Sequence, residues 1–272
     1  LKYAGVPAAK KLKQIAGILR ENAQDAVILT LADSLCWAFN IRGHDVAHTP
    51  VVLGYAIIKA RGKPEIFLNP AKISSRTKSY LEKIATLRPD DKLDAAVDRL
   101  GKDKKTVRLD AQTASFAIYD RLNRSGAVLV NAKDPVIALK AIKNKTEIEG
   151  ARAAHIRDAT AYCRFLMWLD HQKNPRNLDE ISVAKKLETF RAQSGELRDL
   201  SFDTISAFGP NGAICHYRVT EASNLAFKKN SLFLIDSGAQ YLDGTTDITR
   251  TIAIGRPSAE MCKNFTLVLK GH

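Results

Sequence analysis

Two aspartates, Asp236 and Asp247, stand eleven residues apart in the run Leu232-Phe-Leu-Ile-Asp-Ser-Gly-Ala-Gln-Tyr-Leu-Asp-Gly-Thr-Thr-Asp-Ile-Thr-Arg-Thr-Ile-Ala-Ile-Gly255. Apolar stretches on either side of Asp243-Gly244 predict two strands joined by a tight turn, because Asp-Gly suits the positive φ of a hairpin. With a two-residue turn there, Leu242 faces Thr245 and Gln240 faces Asp247. Alternation along a strand puts Asp236 on the same face as Gln240. Both carboxylates then leave one face, offset so that a bulge or strong twist has to close the gap. Carboxylates converging on an apolar sheet repel unless a cation lies between them, and hard oxygen donors suit Mn²⁺, Mg²⁺ or Zn²⁺. The same residues also fit a structural role, with Asp247 capping a turn and Asp236 bonding the backbone.

Other side chains capable of chemistry carry weaker signals. His216, in Ala213-Ile-Cys-His-Tyr-Arg218, is expected on a strand just before the hairpin. A Cys215–His216 nucleophile pair is rejected, since adjacent strand residues point to opposite faces. His44 and His48 have the i, i+4 spacing of helical metal ligands, but Gly43 and Pro50 predict a loop, where structural hydrogen bonding is expected. His155 is expected in a core or interface, and His171 at a helix C-terminus in a dipole role. The chain has no phosphate-binding loop, no G-x-G-x-x-G and no G-x-S-x-G.

The elements that must position these residues fall into two groups. Lys10 to Ala23 has helical periodicity and Ala26 to Leu31 reads as a buried strand. Strands are expected at 51–59, 65–68, 106–110 and 127–130, and helices near 75–84, 93–100 and 114–122. This alternation predicts an α/β domain over residues 1–143. Thr146 is then a candidate N-cap, with Glu149 at capping-box spacing, for a long helix reaching Asp170. Asn174-Pro-Arg-Asn177 breaks that helix, and Asp179 to Gln193 forms another. Strands are expected at 201–208 and 213–217, around a turn at Gly209-Pro-Asn-Gly212, before the hairpin. The second domain, 144–272, thus runs helix, helix, strands and ends in the apolar helix start Phe265-Thr-Leu-Val-Leu-Lys-Gly-His272.

Composition narrows the function classes. The 272 residues are 45% hydrophobic and 26% charged, as in a globular protein with proper cores. No window approaches a membrane span. The net charge of +13 is spread along the chain without a basic run interleaved with aromatics, so a solvated basic surface is expected and nucleic-acid binding is not. Cys36, Cys163, Cys215 and Cys262 have hydrophobic neighbours and no C-x-x-C pairing, which predicts buried free thiols in a reducing compartment and a cytoplasmic location.

Three segments together carry a family resemblance: Gly209-Pro-Asn-Gly-Ala-Ile-Cys-His-Tyr217, Leu234-Ile-Asp-Ser-Gly-Ala-Gln-Tyr241 and Asp243-Gly-Thr-Thr-Asp-Ile-Thr-Arg-Thr251. With them the chain resembles the Xaa-Pro aminopeptidases (aminopeptidase P), pita-bread metallopeptidases akin to prolidase and creatinase. The Ala151–Asp158 helix, the Asn40–Val46 loop and the Phe265–His272 tail are similar to the cytosolic three-domain group, so the likeness covers essentially the whole chain. It implies a creatinase-N-like α/β domain followed by part of an α+β pita-bread catalytic domain. It also implies that Asp236 and Asp247 are metal ligands, the second bridging two divalent ions, with Mn²⁺ expected and Zn²⁺ or Co²⁺ as alternatives. His216 matches the histidine that contacts substrate near the scissile bond. The implied reaction is hydrolysis of an N-terminal Xaa-Pro bond by a metal-activated hydroxide, on peptides with proline second, in an enzyme whose intact relatives are homodimers.

The resemblance also implies what this sequence does not supply. The family's first domain has no counterpart before Leu1, and a further metal-binding His and two metal-binding Glu residues, one of them a general base, are expected downstream of Lys270-Gly-His272. His272 itself matches a helix position and not a ligand. The 272-residue chain alone is therefore expected to bind metal weakly and not to cleave peptides. Prolidase or creatinase-like hydrolysis, and a non-enzymatic peptide- or protein-binding module on the same fold, remain open as alternatives.

Overall fold

Ala26-Val-Ile-Leu29 (β1) has all four side chains buried, the mark of a strand covered on both faces. In the computed structural model, which describes residues 1–172 and 174–272, this strand lies inside a six-stranded sheet. The chain divides into two compact units, Leu1–Thr146 and Glu147–His272.

In the first unit, helices α1 (Ala8–Glu21) and α2 (Ala32–Phe39) flank β1, followed by strands β2 (Gly54–Lys59) and β3 (Glu65–Leu68). Then come α3 (Ser75–Ile84), β4 (Thr86–Arg88), α4 (Leu93–Lys102), β5 (Thr106–Leu109), α5 (Phe116–Ser125), β6 (Val128–Asn131) and α6 (Pro135–Ala141). The sheet order is β4-β3-β2-β1-β5-β6, with β1, β5 and β6 parallel and β2 antiparallel to both neighbours. Leu12, Ile15 and Leu19 of α1 pack with Leu35 and Phe39 of α2 on one face, while Leu93, Val97, Ile118 and Leu122 cover the other. Buried Glu65 is paired by Lys59, Arg88 and Arg99, the ionic cover that a carboxylate at 4% exposure needs. The short α2, α6 and β4 lie outside the sequence expectation, because eight residues or fewer give too little periodicity to read.

The second unit consists of α7 (Lys145–Asp170), α8 (Glu180–Ala192), β7 (Asp199–Leu200), β8 (Ile205–Phe208), β9 (Ser231–Ser237), β10 (Ala239–Gln240), β11 (Ile248–Ile254) and α9 (Ala259–Gly271). Asp179 caps α8 with a capping box closed by Ser182. Helix α7 starts at Lys145, so Thr146 lies in its first turn and is not the cap. Strands β11, β9 and β8 form an antiparallel sheet in that order. Phe233 and Ile235 point to one side and pack with Tyr162, Phe165 and Leu169 of α7 and Val183 and Leu187 of α8. Helix α9 buries none of its residues and leaves Phe265, Leu267, Val268 and Leu269 exposed.

Candidate active site

Asp236 lies on the central strand β9, where alternation sends Phe233 and Ile235 into the helical layer. Leu232, Leu234 and Asp236 therefore occupy the opposite face, which stays partly exposed. The β9–β11 register pairs Ser237 with Ile248 and Asp236 with Thr249, and the bridge between Gln240 and Thr245 continues it. Asp247 thus stands opposite Gly238, diagonal to Asp236 on the same face, a relation that brings Cα atoms to about 7–8 Å.

This register corrects the expected turn. Tyr241 N–H donates to the Gly244 carbonyl at 2.9 Å, so Leu242-Asp243 is the turn and not Asp243-Gly244. None of Leu242, Asp243 or Gly244 adopts a positive φ. The shift of two residues keeps every side chain on its expected face and shortens the offset between the carboxylates, so no bulge is needed. Packing explains the choice. A Cβ on Gly244 would lie 2.9 Å from Ala154 Cβ, and one on Gly150 would lie 2.5 Å from the Asp243 carbonyl oxygen. Both glycines are needed for the hairpin tip to sit against α7.

The electrostatics follow from this proximity. Asp247 is exposed as a residue, yet loss of water around its carboxyl, with the charge of Asp236 and a hydrogen bond between them, pushes it above the usual carboxylate range. Asp236 Oδ1 is buried with no hydrogen-bond partner. A divalent cation is the group that satisfies an orphaned carboxylate oxygen and two repelling carboxylates together. Among the described residues, however, no group of three or more His, Cys, Asp or Glu is placed to hold a metal ion.

His216 does not lie on a strand. Gly209–Ala213 forms a 3₁₀ turn, and His216 follows in an exposed turn with φ +54°. A non-glycine residue there costs about 1–2 kcal/mol, so the surrounding turn has to hold it. The strand premise used against a Cys215–His216 pair thus fails, and both side chains are exposed.

The remaining candidates stay apart from the carboxylate pair in role. His44 and His48 lie in a loop, as expected. His155 is exposed, with Nδ1 2.8 Å from the Ala151 carbonyl, so it is not a core residue. His171 follows α7 and places Nδ1 2.7 Å from the Met167 carbonyl. Only Cys36 is buried; Cys163, Cys215 and Cys262 are exposed, because apolar sequence neighbours do not determine which side of a helix or turn faces inward.

One feature of the site went unread in the sequence. Arg191 of α8 and Asp158 of α7 are both fully buried and form a bidentate pair, at 2.7 and 3.1 Å. Arg191 also donates to Ser237 Oγ at 2.5 Å and to the Ser237 carbonyl at 3.1 Å, and Tyr241 OH donates to Asp158 at 2.9 Å. These bonds clamp the chain on both sides of Gly238, next to Asp236 and opposite Asp247. The signal was present as charges at core positions: Asp158 in the series Ala154, Asp158, Phe165, Leu169, and Arg191 in Val183, Leu187, Arg191.

Comparison with known proteins is consistent with this geometry. Residues 1–147 match the family described as Creatinase/Prolidase N-terminal domain, and residues 149–272 match Metallopeptidase family M24. Over its whole length the chain is 38% identical to a Probable Xaa-Pro aminopeptidase P of Sordaria macrospora and 36% identical to Xaa-Pro aminopeptidase 1 of Dictyostelium discoideum. It covers 46% and 43% of those proteins, less than half their length. Among solved structures, X-prolyl aminopeptidase from Caenorhabditis elegans, described as a cytosolic enzyme with a di-nuclear active site, matches with a TM-score of 0.91 at 32% identity. That match covers 100% of this chain and 45% of the other. Xaa-Pro dipeptidase from Bacillus anthracis matches in fold, with a TM-score of 0.73 at 21% identity over 97% of this chain and 70% of that one. The expected creatinase-N-like α/β domain followed by a pita-bread fold is borne out.

Proposed function

We propose that the protein is an Xaa-Pro aminopeptidase: the chain belongs to the creatinase/prolidase N-terminal domain family, and its residues 149–272 match metallopeptidase family M24. It removes the N-terminal residue that precedes proline. The observation that carries this reading is the diagonal pair Asp236 and Asp247 on the open face, with one buried oxygen unpartnered. Asp236 and Asp247 would hold two divalent ions, Mn²⁺ first and Zn²⁺ or Co²⁺ as alternatives. When bound, such ions supply Lewis acidity toward the scissile carbonyl and make water a nucleophile at neutral pH.

The chain's own residues bind and orient. The two carboxylates would hold the ions on the open face of a sheet whose other face is anchored in the core. Leu232, Leu234 and Ile205 line the same open face and offer apolar contact to peptide. His216, exposed on its turn, would donate or accept a hydrogen bond beside the scissile bond and orient the substrate. With only two carboxylates, the 272-residue chain holds part of the metal site. A homodimeric, cytoplasmic enzyme is the setting proposed for the intact protein.

The test uses the intact protein, assayed for Mn²⁺ binding and for cleavage of a tripeptide with proline second, beside an Xaa-Pro dipeptide. Wild type should bind Mn²⁺ and prefer the tripeptide, and Asp236→Asn with Asp247→Asn should abolish both. Undiminished Mn²⁺ uptake in the double variant removes the metal assignment. Preference for the dipeptide shifts the reading to a prolidase. The 272-residue chain alone should show no turnover.

A further inference from the structure

The loop that carries His216 runs from the end of β8 at Phe208 to Leu225 and contains no strand. A stretch this long and irregular pays a large ordering cost unless something holds it. One buried carboxylate does so. Glu180, the first residue of α8, is 0% exposed. It accepts from Phe208 N–H at 2.6 Å and from Leu225 N–H at 3.0 Å, the two ends of the loop. It also accepts from Asn211 Nδ2 at 3.0 and 3.2 Å and from Tyr217 OH at 3.0 Å. No ion pair to Glu180 occurs among the described salt bridges; its charge is met by N–H and O–H donors and by the N-terminal end of its own helix.

We propose that Glu180 is the positioning residue for His216, gathering both ends and the middle of the loop so that the imidazole is fixed before substrate arrives. The proposal rests on the substrate-contacting role given to His216 above. Tyr217 is the link. It follows His216 directly and is 6% exposed, while His216 is exposed at φ +54°. Tyr217 is tied inward while His216 faces solvent, and the unfavourable backbone of His216 is held by bonds it does not make itself. Burial, with the nearby Glu180 charge adding to it, holds the Tyr217 phenol above its ordinary range, so the hydroxyl remains a donor. Carboxylate specificity follows from the count of donors. Two oxygens serve two N–H groups, an amide and a hydroxyl, whereas glutamine would present an NH₂ to groups that also donate.

The discriminating experiment is a double-mutant cycle in the intact enzyme, with Glu180→Gln, His216→Ala and the pair, read as kcat/KM on an Xaa-Pro tripeptide. Glu180→Gln should lower kcat/KM by about 10- to 100-fold, mostly through KM, as small misplacements of a substrate contact do. In the His216→Ala background it should cost less than about threefold, and bound metal should be unchanged in all three proteins. A Glu180→Gln loss of equal size in both backgrounds overturns the proposal, as does wild-type kcat/KM in the single variant. If Glu180→Gln does not fold, Tyr217→Phe replaces it under the same criteria. If wild type cleaves no Xaa-Pro peptide, the proposed function fails separately, and the His216 ring resonances still decide the positioning claim. They should shift and broaden in Tyr217→Phe; unchanged resonances overturn it.

Discussion

Replacing Arg191 with methionine keeps much of the side chain's length and removes its charge, leaving Asp158 in a fully buried site. Asp158 would retain the Tyr241 hydroxyl as a donor but lose both guanidinium contacts. Stranding one member of a buried pair costs about 3–5 kcal/mol. The Ser237 carbonyl loses a donor as well, at about 1–3 kcal/mol for a group left unsatisfied, while the Ser237 hydroxyl keeps Thr204 Oγ1 at 2.7 Å. Against a total stability of about 5–15 kcal/mol, the single change should consume a large part of what holds the second unit together. In Asp158→Leu/Arg191→Met no buried charge remains, so the double variant should be more stable than Arg191→Met alone, by about 1–3 kcal/mol. The assay is urea unfolding of the intact protein followed by the indole NMR resonance of Trp168, with amide exchange at Ser237–Tyr241 as the local readout. Exchange there should accelerate in Arg191→Met. A cost below about 1 kcal/mol, or a double variant as unstable as the sum of its singles, refutes the argument that the clamp holds the strand beside Asp236.

Two further outcomes follow from packing and charge. In Glu65, burial alone would raise the carboxyl from its ordinary 4.5, but hydrogen bonds and charges from Lys59 and Arg88 outweigh it and hold the group lower. A carboxyl lowered on folding stabilises above its unfolded value, and that contribution is lost as pH falls through the folded one. Urea midpoints of the first unit, read by the indole NMR resonance of Trp37, should therefore fall below about pH 4.5, and Glu65→Gln should flatten that fall; an unchanged slope counts against the linkage. Gly238→Ala places a Cβ against the Thr246 carbonyl and Ser201 Oγ, backbone and side chain together. It should destabilise by about 1–3 kcal/mol and weaken Mn²⁺ binding by moving the position opposite Asp247; wild-type stability and affinity in calorimetry would show that the close approach relaxes freely.

Much of the fold was legible because its signals are local. The continuous apolar run Ala26–Leu29 meant a strand buried on both faces, and it is one. Glu65–Leu68 and Ser75–Ile84 are the strand and the helix that their local sequence predicts. Period-two alternation also put Asp236 and Asp247 on one face, and that parity survives because the register moved by two residues, not one.

What the sequence could not set was anything fixed by contacts between distant segments. Asp-Gly is a strong turn signal, yet the turn moved one residue earlier, because Gly150 and Gly244 allow α7 and the hairpin tip to approach closely. The run Ala213–Tyr217 reads as a strand, yet His216 lies in a turn. The turn it adopts is enforced by Tyr217 and Glu180, 37 residues apart in the chain. Asp158 and Arg191, 33 residues apart, became a clamp only when α7 and α8 packed on the same sheet. Local periodicity thus determined the longer helices, the buried strands and the face of the carboxylate pair. Tertiary packing decided the register that brings the two carboxylates together and the buried polar groups that hold them there, because a buried charge finds its partner through space and not along the chain.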